Sequence, residues 1–133
     1  MRYTVRMLGI LLLAMFLVAC GATAPAAPPT FAFAAGSLEA QGSALFAGKG
    51  RCATCHSLSA DTVIVGPSLA GIATHAESRV EGLSASEYLE ESIVRPDAYR
   101  PSGFEDEQMD TSLAKQLTVE EVEALVAFLM TLK

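Results

Sequence analysis

Cys52-Ala53-Thr54-Cys55-His56 is the stretch on which the reading of this chain turns. Two thiols separated by two residues lie about one helical turn apart, so each can add to one vinyl group on the same edge of a porphyrin. The adjoining His56 then presents its imidazole to the iron from the proximal side. C-x-x-C-H is accordingly the attachment signature of c-type haem. Two other uses of the pattern lack their context. A thioredoxin-like C-x-x-C belongs near a βαβ unit, and no such alternation is visible. A structural zinc site needs four ligands. Cys52, Cys55, His56 and His75 are four donors, but nothing else in the sequence has the pattern of a zinc module.

Covalent haem attachment takes place outside the cytoplasm, and the N-terminus carries an export signal. Arg2 and Arg6 precede Met7–Ala19 (MLGILLLAMFLVA), a run without charge or proline. This is the basic n-region and apolar h-region of a signal peptide. As a helix at ~1.5 Å per residue the run covers about 20 Å, short of the roughly 30 Å hydrocarbon core. Continuing through Ala24 makes a retained transmembrane helix marginal, and Pro25 ends it. Leu17-Val18-Ala19-Cys20-Gly21 resembles a bacterial lipobox, in which a small residue precedes a Cys that becomes the lipidated N-terminus. Residues 1–19 are therefore expected to be a lipoprotein signal peptide and Cys20 the anchor, on the outer face of the cytoplasmic membrane or in the periplasm. The three cysteines are then all assigned: Cys20 to lipid, Cys52 and Cys55 to haem. An odd count is in any case a poor basis for a disulfide framework.

Residues 21–36 (GATAPAAPPTFAFAAG) hold no charge and three of the six prolines. With Cys20 they read as a tether, reaching roughly 20–25 Å as a flexible coil and about 50 Å if extended. Phe31 and Phe33 are unusual in a tether and are assigned to weak packing on the domain itself. Without residues 1–19 the chain keeps seven basic and fifteen acidic side chains, a net charge of −8. Nucleic acid, which needs a basic face, is excluded as a partner.

Residues 37–133 form one domain and read as helical. DTVIVG (Asp61–Gly66) is the best strand candidate, but it is short, runs into Pro67 and is assigned to an extended loop. A first helix is expected over Leu38–Ala47, with Leu38, Gly42, Leu45 and Phe46 on one face. A short helix is expected to begin at Pro67, since proline suits a first turn. Ser84-Ala85-Ser86-Glu87 is a capping box that opens a helix reaching about Arg95, where Pro96 stops it. Thr118-Val119-Glu120-Glu121 is another, opening a helix with Val122, Leu125, Phe128, Leu129 and Leu132 on one face. The fold class is thus all-α, with about four helices and long loops. Such loops need something central to pack on.

On these motifs the segment from Ser37 to Lys133 resembles the small single-haem class I cytochromes c. Lys49–His56 (KGRCATCH) carries the specific part of the resemblance, and Gly66-Pro67-Ser68-Leu69 is similar to the family's G-P-x-L. The resemblance implies a small cytochrome c fold wrapped around one haem c, with Cys52 and Cys55 covalently attached. It implies that the Pro67 carbonyl accepts a hydrogen bond from the His56 ring, fixing its tautomer. It implies a close contact of Gly42 and Phe46 with the C-terminal helix near Leu125 and Phe128. His56 is one metal ligand. For the other, only Met109 and Met130 lie beyond the signal segment. Met130 falls in the last turns of the terminal helix, whereas Met109 lies in a loop, as the family's distal Met does. His75 is the rival for that position, and it is read as a surface or propionate-side residue on the His56 side. Asp110 follows Met109 where family members commonly have proline.

With His56 and Met109 on the iron, the expected function is electron carriage between a quinol-oxidising complex and a terminal acceptor, and not enzymatic. A fixed haem subunit of a respiratory or photosynthetic complex, including alternative complex III, is a second version. A haem enzyme or ligand sensor with an open sixth site is the alternative of another class. Tyr99, Arg79 and Arg100 are candidates to contact the propionates. Glu105, Asp106, Glu107 and Asp110 flank Met109, so redox partner proteins are expected to dock through a basic face.

Overall fold

The computed structural model describes residues 30–133. The signal-like segment and Cys20 lie outside them. No helix of the described residues is long and apolar enough to cross a membrane. The described residues contain four α-helices: α1 (Leu38–Ala47), α2 (Ile72–Ala76), α3 (Ala85–Val94) and α4 (Val119–Leu129). Single 3-10 turns lie at Cys52–Thr54 and Ala114–Gln116, and the described residues contain no strand.

The helix starts follow from local chemistry. Both capping boxes close. The Ser84 hydroxyl accepts from the Glu87 N–H and the Glu87 carboxylate accepts from the Ser84 N–H, and Thr118 and Glu121 do the same at the head of α4. Each cap contributes roughly 0.5–2 kcal/mol. These bonds hold the Glu87 carboxyl below its ordinary pKa, the Ser84 hydroxyl first and the Ser84 N–H second. The Ser37 hydroxyl caps α1 by accepting from the Ala40 N–H at 3.2 Å. At the other end of α3, Arg95 leaves helical geometry ahead of Pro96 (φ −134°, ψ 66°).

α1 and α4 cross closely, and Gly42 is the reason they can. A Cβ at this position would fall onto the Ala124 carbonyl and within 2.7 Å of Phe128 Cβ. One turn on, Phe46 packs against Phe128 with ring centroids 5.6 Å apart. Phe31 and Phe33 stack on each other and both meet Phe128 edge-to-face, at 5.3 and 6.0 Å. Among the described residues, packing on the core thus includes Phe31 and Phe33, ahead of Ser37. Buried Ile72, Ala76, Ala85, Tyr88 and Leu89 bring α2 and α3 onto the same core as Leu125, Leu129 and Leu132.

Two expectations fail. No helix begins at Pro67: residues 67–70 are irregular, and α2 opens only at Ile72, after Gly71 in the left-handed region (φ 69°). The cause is that this segment is bonded elsewhere. The Leu69 N–H donates to Ser57 O at 2.8 Å, and the Pro67 carbonyl faces His56. Leu38 is 49% exposed and is not part of the α1 core face, which is carried by buried Gly42 and Phe46.

Replacing a mid-helix glycine by alanine would by propensity alone stabilise a helix by about 1 kcal/mol. Gly42→Ala is expected to do the opposite. Overpacking at the crossing should destabilise the protein by ~1–3 kcal/mol or more, read as a lower urea midpoint with an unchanged slope.

Candidate haem site

The site is assembled directly beyond α1. The Gly50 N–H donates to Leu45 O at 2.8 Å, turning the chain off the helix end. Arg51 then takes the left-handed conformation (φ 53°), alone among non-glycine residues described. Its carbonyl accepts from the Thr54 N–H (3.1 Å) and the Thr54 hydroxyl (2.6 Å). The Cys55 and His56 N–H groups both donate to Cys52 O, at 3.1 and 2.9 Å. This single turn sets Cys52 and Cys55 on one side with His56 beside them. Lys49 fastens the loop to the head of α4, its ammonium donating to both Glu121 carboxylate oxygens at 2.6 and 2.8 Å. Lys49 is the first cause of the lowered Glu121 pKa, ahead of the Thr118 N–H. As an exposed pair it adds little to stability.

A second segment folds back over the motif. The Val65 and Gly66 N–H groups donate to Cys55 O, at 3.1 and 2.9 Å. That brings Gly66 flat against the imidazole: a Cβ there would lie 2.5 Å from His56 Cε1 and 2.9 Å from Nδ1. The next residue supplies the hydrogen bond, with His56 Nδ1 and Pro67 O 2.8 Å apart. A carbonyl can only accept, so Nδ1 carries the proton, leaving the Nε2 lone pair available to a metal.

These segments border a cavity of about 280 Å³, which Cys52, Cys55, His56, Pro67 and Met109 all line. Phe46, Ile72, Leu89, Leu125 and Leu129 give it an apolar interior, and Tyr99, Arg51, Arg79 and Arg100 also contribute. Burial is the main reason the Cys52 thiol is pushed above its ordinary pKa. Met130 is half-buried against the core and does not line the cavity. His75 is exposed and does not line it either. Among the described residues no group of three or more His, Cys, Asp or Glu side chains is placed to hold a metal ion, which removes the zinc reading. The residues fit a flat apolar macrocycle instead: two free thiols one turn apart, an imidazole with a free nitrogen, and a greasy slot between α1, α3 and α4.

Fold and site together define a small all-α haem-binding protein. The cytochrome c family model matches residues 39–133, and the chain belongs to the cytochrome c family. No curated protein and no solved structure gives a match. Membership brings one covalently bound haem c and a role in electron transport.

Two features of the site have no signal in the sequence, and a third, the contact of Gly66 with the His56 ring, does. The left-handed Arg51 and the Lys49–Glu121 pair have no local signal, since one is a rare backbone choice and the other joins residues 72 positions apart. Gly66 did have one: a glycine ahead of Pro67 in a segment that must approach the motif closely.

Removal of either thiol should leave at most one thioether. Cys52→Ala and Cys55→Ala are expected to yield little mature holoprotein, and haem held by the one remaining thioether should still resist acidified organic solvent. Wild-type haem should stay with the polypeptide under the same extraction.

Proposed function

We propose that the protein is a lipid-anchored electron carrier whose haem iron is held by His56 and Met109. The observation that carries this reading is that His56, with Nε2 free, and Met109 line the same cavity, while Met130 and His75 do not. Bound haem c supplies a one-electron iron couple, and thioether ligation favours a high potential. The chain's own part is to keep that couple unreactive. Pro67 and Gly66 fix the imidazole in one tautomer and one orientation. Met109 would be the second residue to hold the iron, which would leave no site for a substrate and make the protein a carrier rather than an enzyme.

The loop that presents Met109 is held by its neighbours. The Asp110 carboxylate accepts from the Ser112 N–H at 2.9 Å. Bonding to the Ser112 side chain and N–H keeps its pKa below the ordinary carboxylate range, with Arg51 adding a smaller effect. On the approach to Met109, the Arg100 guanidinium bonds both Asp97 (2.7 Å) and Glu105 O (2.9 Å). The Gly103 N–H donates to the Glu105 carboxylate at 2.9 Å. Asp106 and Glu107 are left exposed, facing a partner with a basic surface.

Anchored through Cys20 on the outer face of the cytoplasmic membrane or in the periplasm, the protein would pass electrons from a quinol-oxidising complex to a terminal acceptor. Local concentration, set by the tether, replaces tight binding.

Met109→Ala should convert the ferric spectrum to high-spin or lower the midpoint potential. Met130→Ala should leave both unchanged and destabilise the fold, by less than the about 2–5 kcal/mol that truncating a fully buried methionine costs, because Met130 is half-buried. Spectral change in Met130→Ala alone would reverse the assignment.

A further inference from the structure

Three arginines line the haem cavity: Arg51, Arg79 and Arg100. Among the described residues, Arg100 is the one of the three whose guanidinium bonds the protein's own chain. One terminal nitrogen donates to the Asp97 carboxylate at 2.7 Å and the other to Glu105 O at 2.9 Å. The fork therefore joins the segment that leaves α3, beside Pro96, to the loop that leads to Met109. A guanidinium suits this task, being planar, always charged and able to reach two acceptors at once.

The loop it joins has little else to hold it. Residues 101–109 fold on themselves. The Phe104 N–H donates to Pro101 O at 3.1 Å and the Glu107 N–H to Phe104 O at 3.2 Å. Gly103, in the left-handed region (φ 85°), donates to the Glu105 carboxylate at 2.9 Å. Among the described residues, the bond from Arg100 to Glu105 O is the one hydrogen bond between this stretch and any residue outside it. Past Met109 the next turn is local again, with Asp110 accepting from the Ser112 and Leu113 N–H groups. Met109 thus stands between two small self-bonded turns, and Arg100 fastens the first of them to the helical body. Apolar packing of this stretch is partial, since Pro101, Phe104 and Met109 are each half-buried.

We infer that Arg100 is a positioning residue for Met109: by bridging Asp97 and Glu105 it sets the loop against the cavity and keeps the thioether on the iron. The inference rests on the His56–Met109 reading and adds which side chain holds the second ligand in place. Loops open locally at a smaller cost than the whole fold. A loop with one external hydrogen bond opens more often once that bond is gone, with little change in global stability.

Neutral imidazole is the probe. It takes the sixth position of the ferric holoprotein only after the Met109 sulfur leaves, so at saturating imidazole the decay of the far-red band reads the opening rate of the loop. The full-length ferric holoprotein is compared as wild type, Arg100→Gln, Asp97→Ala, Met109→Ala and Met130→Ala. Arg100→Gln should keep the resting low-spin spectrum and react about tenfold faster, the effect of a local change of about 1.4 kcal/mol. Asp97→Ala should also be accelerated, although Asp97 does not line the cavity. Met130→Ala should react at the wild-type rate in spite of its lower urea midpoint. A wild-type rate in Arg100→Gln overturns the inference. Acceleration in Arg100→Gln with a wild-type rate in Asp97→Ala assigns Arg100 to a haem propionate and overturns it. Equal acceleration in Met130→Ala assigns the effect to general loosening and overturns it. If Met109→Ala keeps the wild-type spectrum and rate, the ligation reading falls and the positioning role falls with it.

Discussion

The close approach of α1 and α4 at Gly42 is the constraint from which the rest of the molecule follows. With no side chain at that point, the α1 backbone lies against Ala124 and Phe128, and Phe46 is brought under Phe128. The end of α1 is thereby fixed relative to α4. The motif begins five residues beyond that end and inherits its position, with Lys49 bonded to Glu121 on the facing helix. Even the N-terminal segment is organised by the same pair, since Phe31 and Phe33 both rest on Phe128.

What the crossing does not supply is a complete core. Phe46, Leu125 and Leu129 are core residues that also line the cavity, and Tyr88 and Leu89 of α3 do the same. The helices thus present apolar surface inward to a space that the protein's own side chains do not fill. A hydrophobic macrocycle bonded to Cys52 and Cys55 would complete that core and be attached to it. Stability and cofactor attachment are therefore linked, as for any group that binds the folded state alone.

The parts of this account that were legible in the sequence are those carried by local chemistry. Ser84 with Glu87 and Thr118 with Glu121 marked two helix starts to the residue, because a capping box is a contact between near neighbours. Phe31 and Phe33 stood out against an Ala- and Pro-rich background and pack where aromatic rings gain most. The Pro67 error came from reading proline as a helix start when a distant demand, the His56 ring, had claimed its carbonyl. Leu38 fitted the period of α1, yet it lies at the helix's first position, where α4 does not cover it. For the site, C-x-x-C-H carried the chemistry outright. The backbone strain at Arg51 and the pairing across 72 residues depend on the finished fold, so local patterns could not contain them.

In the proposed ligation, His56 and Met109 together would close the iron's coordination. The optical spectrum of the purified wild-type holoprotein, recorded with and without carbon monoxide, tests it most directly. A low-spin ferric spectrum with a weak far-red methionine-to-iron band, and a ferrous spectrum unmoved by carbon monoxide, is the predicted result. A high-spin ferric spectrum with prompt carbon monoxide binding would contradict it and point to an enzyme or a ligand sensor.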